Sequence, residues 1–271
     1  MPSALLDGRI YTPGGLDAQG AASALVEVYD PSANRWGSAP PMPEARHHHG
    51  VATAAGKLYV LGGYLPGPPP WRPSDAVFVF DLQSQSWSRG ASMPAPRAAH
   101  TSVELGGKIY SIGGVQSDGV VGTNEVYDPS TNSWTALAPM PTPREHLAAA
   151  AVGSRILVVG GRAPSNRHEL EAYSPADDQW ERLQDMPTAR GGLAAAALGD
   201  KLYAVGGEVP GVFSNTEQYD AATNTWRAMA GILTPRHGMG AVPMGDELYV
   251  IGGGTAAGLA PSGANEVFSV P

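Results

Sequence analysis

Arginine and histidine recur together along the chain, and both side chains can contact anionic groups. An arginine ends each of five Pro-rich segments: Arg46, Arg97, Arg144, Arg190 and Arg236. Six of the seven histidines follow one of these arginines within four residues: His47, His48, His49, His100, His146 and His237. Arginine binds carboxylate or phosphate through its planar fork, and histidine exchanges protons near neutral pH. If these segments converge, they form a basic, histidine-rich site that suits an anionic ligand.

The arginines also have a structural interpretation. A glutamate begins a recurring strand in five places: Glu27, Glu125, Glu171, Glu217 and Glu266. One Arg–Glu ion pair per repeat would balance the buried charges. Phe78 stands at the corresponding place in the second repeat, so either Arg46 or Arg97 is left without a repeat partner, depending on which neighbour each arginine pairs with. That unpaired arginine is the best anion-binding candidate.

Metal binding and catalysis find little support in the spacing of these residues. His48 and His146 occupy equivalent places, as do His49 and His100, but no HxH spacing or carboxylate singles out a set of three ligands. The motifs GxSxG, HExxH and GxxxxGK[ST] do not occur, and the absence of Cys excludes thiolate nucleophiles and Cys-ligated metal. We therefore expect no catalytic residue, no metal site and no cofactor.

A sequence repeat must position these residues. Gly-Gly pairs close six strand-like segments of one shape: GRIYTPGG, GKLYVLGG, GKIYSIGG, SRILVVGG, DKLYAVGG and DELYVIGG. Each is followed by a variable stretch and a second strand ending in an aromatic residue. Five repeats then carry a third strand with a tryptophan: Trp36, Trp87, Trp134, Trp180 and Trp226. A Pro-rich link and a small-residue strand complete the unit, which has no sustained helical periodicity.

The Gly-Gly pair, the tyrosine after it and the later tryptophan resemble the kelch repeat over essentially the whole chain. The resemblance implies an all-β, six-bladed β-propeller of four antiparallel strands per blade, with the small-residue strand innermost. We expect one domain, 1–271, with blade units of about 1–46, 47–97, 98–144, 145–190, 191–236 and 237–271. The Tyr and Trp of each unit are expected to pack between blades, and the glycines to permit close backbone approach.

The two ends of the chain predict an irregular sixth blade. Only five tryptophan strands follow the six Gly-Gly strands, and Ser3 to Leu6 aligns with an innermost strand. The sixth blade is therefore predicted to have three strands, whereas kelch propellers commonly close a blade with strands from both termini. Either this blade lacks its outer strand, or a longer protein supplied it. An open outer edge is a candidate site for pairing with another chain.

One face of the predicted propeller carries both the Pro-rich links and the variable loops. The loops of blades 6, 1 and 2 are the longest, and these blades are neighbours in a closed ring. The second loop, residues 64–75, holds Tyr64, Trp71 and Arg72 among five prolines, so that recognition groups are ordered in advance. A stiff lid that only covers the blade is the alternative. The links should place the arginines and histidines around the mouth of the central channel.

The net charge of the chain argues against some classes of binding partner. With 25 acidic and 17 basic residues the formal net charge is −8, which gives no general attraction to nucleic acid or anionic membranes. No signal peptide or spanning segment is visible, so a cytoplasmic location is expected, with secretion after processing as the alternative. The leading hypothesis is a non-catalytic module that binds a partner protein or acidic peptide through this face, as kelch domains often do. The alternative is a protein or enzyme acting on an anionic or sugar-like metabolite in the funnel, since some bacterial kelch propellers resemble sugar-acid epimerases.

Overall fold

The protein forms six antiparallel sheets arranged in a ring. The computed structural model describes residues 2–269, and within them the chain contains strands and turns but no helix. The innermost strand of each sheet contacts the innermost strands of the two neighbouring sheets, and the last sheet contacts the first. Each sheet is therefore one blade around a central axis. The predicted six-bladed propeller is confirmed.

The blades follow one another in chain order, with the first strand of each innermost. Blade 1 has β1 (Ala4–Leu6), β2 (Arg9–Pro13), β3 (Val26–Asp30) and β4 (Arg35–Ala39). Blade 2 has β5 (Gly50–Ala54), β6 (Lys57–Leu61), β7 (Val77–Asp81) and β8 (Ser86–Arg89). Blade 3 has β9 (Thr101–Leu105), β10 (Lys108–Ile112), β13 (Asn124–Asp128) and β14 (Ser133–Leu137), with a separate small hairpin of β11 (Val115–Gln116) and β12 (Gly119–Val120).

The remaining three blades repeat this order. Blade 4 has β15 (Ala148–Val152), β16 (Arg155–Val159), β17 (Leu170–Ser174) and β18 (Gln179–Arg182). Blade 5 has β19 (Ala194–Leu198), β20 (Lys201–Val205), β21 (Thr216–Asp220) and β22 (Thr225–Met229). Blade 6 has only β23 (Gly240–Met244), β24 (Glu247–Ile251) and β25 (Asn265–Ser269), so the predicted three-stranded blade is confirmed within residues 2–269.

Apolar packing between blades forms the core. The second strand of every blade carries a fully buried aliphatic residue, namely Ile10, Leu58, Ile109, Ile156, Leu202 and Leu248. The aromatic ring on the third strand packs on a tyrosine of the preceding blade, as Tyr127 does on Tyr59 with centroids 5.8 Å apart. It also packs on the tryptophan of its own blade, as in Tyr127–Trp134 with centroids 5.2 Å apart. Because a single sheet buries neither face alone, this stacking of neighbours stabilises the ring. The packing role predicted for the tyrosines and tryptophans is confirmed.

Tryptophan also joins blades 2 to 5, each to the blade before it, through a hydrogen bond. The indole Nε1 of Trp87 donates to the carbonyl of Pro40 at 2.8 Å, just beyond the outer strand of blade 1. The same bond joins three further blade pairs, as Trp134 to Ala91, Trp180 to Ala138 and Trp226 to Gln184. A buried indole N–H usually requires such an acceptor.

The Gly-Gly pairs permit close backbone approach. Gly14 has φ +66°, and a Cβ on it would lie 2.7 Å from the carbonyl oxygen of Arg46. The next residue, Gly15, donates its amide to that same carbonyl at 2.9 Å. Only glycine combines this left-handed backbone with this clearance. The pair thereby fixes the Pro-rich link against the second strand.

In the described part of the chain, no helix is long and apolar enough to cross a membrane.

Candidate functional site

The recurring arginines lie inside the blades. Four of them are fully buried, and each reaches a glutamate on the third strand of the blade that follows its link: Arg97–Glu125, Arg144–Glu171, Arg190–Glu217 and Arg236–Glu266. Arg144 also donates to the carbonyl of Val158 at 3.1 Å. Carboxylate and carbonyl partners together compensate the buried charge. The expectation that these arginines surround the channel mouth is therefore wrong.

Arg46 is the arginine without a repeat partner, because Phe78 replaces the glutamate in blade 2. Its guanidinium lies over the Phe78 ring, 5.5 Å from the centroid, and donates to Ser74 Oγ at 3.2 Å. The half-buried Glu44, two residues earlier in the chain, supplies a substitute carboxylate at 2.5 Å. Arg46 is only 1% exposed. A solvated anion has no access to Arg46, which corrects its choice as the anion-binding candidate.

Five equivalent residues form a ring of backbone around the axis: His48, Ala99, His146, Gly192 and Gly238. Each precedes the innermost strand of blades 2 to 6 and has φ between +51° and +65°. Ala99 donates its amide to His48, His146 to Ala99, Gly192 to His146 and Gly238 to Gly192, at 2.7 to 2.9 Å. Non-glycine residues held in this strained region are concentrated at functional sites. This ring carries His48 and His146 at the channel mouth.

The histidines of this ring gather with the second loop into an aromatic cluster. His48 and His146 pack edge to face with centroids 4.9 Å apart, and His47 Nδ1 lies 2.6 Å from His48 Nδ1. Tyr64 and Trp71 pack on His47 with centroids at 5.4 and 4.6 Å. We call these five residues the mouth cluster. The sequence placed all five on one face, but did not predict that His48 and His146 would touch.

The second loop, residues 64–75, covers part of the channel mouth and leaves Trp71 and Arg72 exposed to solvent. Tyr64 pairs with His47 on one side and with Pro73 on the other, so the loop is held by backbone bridges. Trp71 remains 37% exposed, and Arg72 beside it is exposed. The Arg72 guanidinium takes part in none of the ion pairs found within residues 2–269. It is therefore the accessible cation of the predicted set.

A polar network that the sequence analysis missed continues from the mouth cluster. Glu145 accepts from His146 Nδ1 and from Arg162 Nε, the latter at 3.0 Å. Arg162 also reaches Glu208 at 3.1 Å, and Glu208 lies 3.5 Å from His237 Nε2. Glu145 directly follows Arg144, whereas Arg162 and Glu208 directly follow a Gly-Gly pair. Charged residues at these repeat positions in blades 4 and 5 were the sequence signal from which this network could have been predicted.

Two hollows meet at the mouth cluster. A cavity of about 130 Å³ is lined by His47, His48, His146 and His237 and by the glycine-rich loops of blades 1 and 6, including Leu259. The channel below has about 180 Å³, and its wall includes His49 and His100. No arginine lines either hollow. The predicted funnel is histidine-lined, but it is not basic.

Burial keeps several of these histidines neutral at neutral pH. Desolvation lowers the pKa of His47 to about 4 and that of His49 to about 3. Burial likewise lowers the pKa of His48 well below its ordinary value, with the neighbouring His146 and His47 adding to the effect. The pKa of His237 is lowered mainly by burial, against the opposing effect of Glu208. His47 and His48 therefore present uncharged imidazoles at the mouth.

Within residues 2–269, no group of three or more His, Asp or Glu side chains is arranged to hold a metal ion. His49 and His100 lie in the channel wall, 2% and 6% exposed. In three other blades, Leu147, Leu193 and Met239 stand at the same place. The position is therefore a packing position of the repeat that two blades fill with histidine.

Comparison with known proteins agrees with the repeat and the fold. A family model described as the KLHDC2/KLHL20/DRC7 Kelch-repeats domain matches residues 2–207 and 138–253. Alpha-scruin of Limulus polyphemus is 32% identical over 113 residues, which are 41% of this chain and 12% of that protein. Kelch-like protein 35 of Mus musculus is 35% identical over 112 residues, 41% of this chain and 19% of that protein.

The chain thus spans less than a fifth of the length of these two relatives. A solved structure described as "Structure of YjhT" superposes with a TM-score of 0.86 at 18% identity, covering 99% of this chain and 94% of that one. Identity this low shows a shared fold and nothing finer. The family model, by contrast, matches well over half of the sequence. The chain belongs to the kelch-repeat family of β-propellers.

Proposed function

We propose that this propeller is a recognition module that binds an extended segment of a partner protein at the channel mouth. The observation that carries the proposal is the mouth cluster, in which exposed Trp71 is held by His47, His48 and Tyr64 beside a cavity. Rigid aromatic residues next to a small hollow are the usual anchor points of protein interfaces. The family resemblance supports the proposal, since kelch domains often bind other proteins.

The size of the hollows favours a side chain of a partner over a free small molecule. Sites for small molecules typically enclose about 300 to 1,000 Å³. The cavity of about 130 Å³ and the channel of about 180 Å³ are both smaller. Each can accept one side chain of a segment that otherwise lies across the face. Leu259, 47% exposed at the rim of the cavity, adds apolar surface for that segment.

The charges at the mouth set the chemistry of the partner. The repeat arginines are buried, and burial keeps His47 and His48 uncharged at neutral pH. Arg72 is the exposed cation next to Trp71. The sequence led us to expect an acidic peptide. We now propose a more specific partner, which is a segment with an apolar or aromatic anchor residue and one carboxylate placed to contact Arg72.

Selection from a phage-displayed peptide library on the immobilised chain tests this function. We expect enriched peptides to share a carboxylate near an apolar residue. Trp71→Ala should weaken their binding by at least about tenfold, because buried tryptophan anchors carry much of the binding energy at interfaces. Arg72→Ala should remove the preference for the carboxylate. Leu233→Ala, at an 88% exposed leucine outside the mouth cluster, is the matched control. Selected peptides that bind Trp71→Ala unchanged would refute the assignment.

A second candidate function rests on the His146–Glu145 contact. A carboxylate that orients an imidazole beside a cavity is a common arrangement for proton transfer. An anionic or sugar-like metabolite in the cavity would then meet His146 and His48. Thermal shift with glucuronate and galacturonate tests this, because a ligand of the folded state raises its melting temperature. A shift that His146→Gln abolishes supports the candidate, whereas no shift with either acid counts against it.

A further inference from the structure

A cavity lies between the outer strands of blade 1 and the turn that joins the third and fourth strands of blade 2. It has about 350 Å³, and its lining includes Tyr11 and Val28 of blade 1 and Leu82 and Gln85 of blade 2. It shares no residue with the channel or with the cavity at the mouth cluster. Unlike those two hollows, it falls within the roughly 300 to 1,000 Å³ that is typical of small-molecule sites. We call it the outer groove.

A glycine makes room for the outer groove. Gly37 of β4 pairs in register with Val28, and the same place carries a side chain in the other four-stranded blades, namely Ser88, Thr135, Glu181 and Arg227. The φ of Gly37 is not left-handed, and a Cβ on it would meet nothing closer than 4.0 Å. Neither backbone geometry nor packing therefore requires glycine here. What glycine provides at this place is open space above Val28.

A hydrogen-bonded tie joins three other pairs of neighbouring blades at the equivalent place. Asn132 Oδ1 of blade 3 accepts the backbone amide of Ala91, which follows β8 of blade 2, at 2.7 Å. The same oxygen accepts the hydroxyl of Tyr127 at 2.6 Å. Asp178 and Asn224 accept the corresponding two donors in blades 4 and 5. The side chain at this place of the turn is thus normally fixed against the preceding blade.

Blade 2 has a different residue at each position of this tie. Gln85 replaces the asparagine or aspartate, and Phe80 replaces the tyrosine and has no hydroxyl. The residue that the tie would hold is Pro40, which has no amide hydrogen to donate. The Gln85 side-chain nitrogen instead donates to the carbonyl of Leu82 at 2.8 Å. That nitrogen carries a second hydrogen, which can donate to a ligand in the outer groove.

The outer groove carries more positive than negative charge. Arg9 Nε lies 3.3 Å from Asp30, and lysines form the same pair in blades 2, 3 and 5. Arg35 has no such counterpart, because its register position holds an uncharged residue in the other blades, namely Ser86, Ser133, Gln179 and Thr225. Arg35 is exposed, and none of the ion pairs within residues 2–269 includes it. Since Asp30 is the lining carboxylate, one arginine is left without a counter-charge.

We propose that the outer groove binds a small organic anion that has one carboxylate on a short apolar body. The carboxylate pairs with Arg35, whose planar guanidinium matches two carboxylate oxygens, and Gln85 supplies a further donor. The apolar body lies over Gly37 and against Leu82. A single negative charge suits the single uncompensated arginine. This site is separate from the channel mouth and does not depend on the function proposed for it.

NMR titration of the full chain with phenylpropionate tests the proposal. This probe has one carboxylate and one short apolar body. We expect saturable shifts of the Gly37 backbone amide and the Gln85 side-chain amide, with a dissociation constant of about 1 mM for a probe of this size. The uncharged analogue phenylpropanol keeps the apolar body and should bind about tenfold more weakly.

Two variants test the parts of the outer groove. Arg35→Ala should weaken phenylpropionate binding about tenfold, to the level of phenylpropanol. Gly37→Glu should abolish binding, because the new side chain fills the outer groove and supplies an internal carboxylate. The fold should accept this change, since the space above Gly37 is open and Glu181 stands at the same place in blade 4, where it pairs with Arg155 at 2.7 Å. Thermal unfolding of both variants verifies that they are folded.

Arg72→Ala is the matched control, because it removes an exposed arginine at the channel mouth and should leave the affinity for phenylpropionate unchanged. The outer groove and the mouth are thereby tested separately. Three results would overturn the proposal: no saturation at tens of millimolar phenylpropionate, equal binding of phenylpropanol, or unchanged binding to Arg35→Ala. Binding that Arg72→Ala abolishes would also overturn it, because the anion would then lie at the channel mouth.

Discussion

The imidazole rings of His48 and His146 meet edge to face, with their centroids 4.9 Å apart, although they belong to the links of blades 2 and 4. The residue between them in the axial ring is Ala99, whose side chain is too small to separate them. Both rings therefore lie over one point of the channel mouth. Burial, together with the neighbouring His146, lowers the pKa of His48.

We predict that stability falls when the pH is lowered from 7 to 5. Burial lowers the pKa of His47 from 6.5 to about 4, so the unfolded chain binds more protons than the folded chain in this window. Stability is thus fully present above the unfolded pKa and is lost as the pH falls towards the folded one. Each such histidine contributes at most roughly 2 kcal/mol to this loss. Urea denaturation at both pH values measures it, and equal stability at pH 7 and pH 5 would contradict the prediction.

Replacing His100 by leucine should stabilise the fold. Both ring nitrogens of His100 are buried and have no hydrogen-bond partner within residues 2–269. Leu147 and Leu193 fill the equivalent position in blades 4 and 5. Removing an unsatisfied buried polar group gains about 1 to 3 kcal/mol, which should raise the melting temperature by several degrees. The pH dependence should also weaken, because burial holds the pKa of His100 well below its ordinary value. A lower melting temperature would show that the imidazole is needed for packing.

Removing a carboxylate from a buried pair should destabilise the fold far more than removing one from the surface. Glu171→Ala leaves the fully buried Arg144 without its partner and should cost about 3 to 5 kcal/mol. Glu181→Ala breaks an exposed pair with Arg155 and should change stability by less than about 1 kcal/mol. Chemical denaturation of both variants gives the comparison. Equal effects would contradict the role of the repeat arginines as ties between blades.

Substitution of Trp134 should destabilise the unliganded protein more than substitution of Trp36. Trp134→Phe loses the bond from Nε1 to the Ala91 carbonyl and should cost about 0.5 to 1.5 kcal/mol beyond the change in packing. Trp36→Phe loses no such bond within residues 2–269 and should cost only the packing on Tyr29, with centroids 5.1 Å apart. Thermal unfolding of the two variants measures the difference. An equal loss would indicate that Trp36 already has an acceptor.

The sequence predicted the fold almost completely because the repeat is encoded locally. Gly-Gly pairs, aromatic-ended strands and tryptophans recur in order, and counting them predicted the three-stranded sixth blade. The Arg–Glu ion pairs between a link and the next blade were harder to predict from the sequence. Phe78 in place of a glutamate showed that either Arg46 or Arg97 lacks a repeat partner, but only the structure shows that the other four arginines pair with the following blade, which leaves Arg46 without a repeat partner. Glu44, which substitutes for the missing partner of Arg46, stands two positions before it, where Thr142 and Thr188 stand in other links, an exchange that the sequence analysis did not use.

The sequence predicted which residues share the face at the channel mouth only in part, and it did not predict the electrostatics of the candidate site. Placing the links and loops on one face correctly brought His47, His48, Tyr64 and Trp71 together. The sequence could not show that the arginines point into the blades, since a link reveals where its backbone lies and not where its side chains go. It also could not show contacts across the axis, because His48 and His146 belong to blades that are not neighbours. Only the closed ring brings them within reach.

The proposal that the mouth cluster receives a partner segment is tested most directly by NMR of the histidine rings. With a peptide selected from the library at saturation, the ring signals of His47, His48 and His237 should shift, since all three line the cavity. The signal of His168, which does not line the cavity, should stay in place. A saturating peptide that shifts only His168, or that shifts no histidine signal, would contradict recognition at the channel mouth.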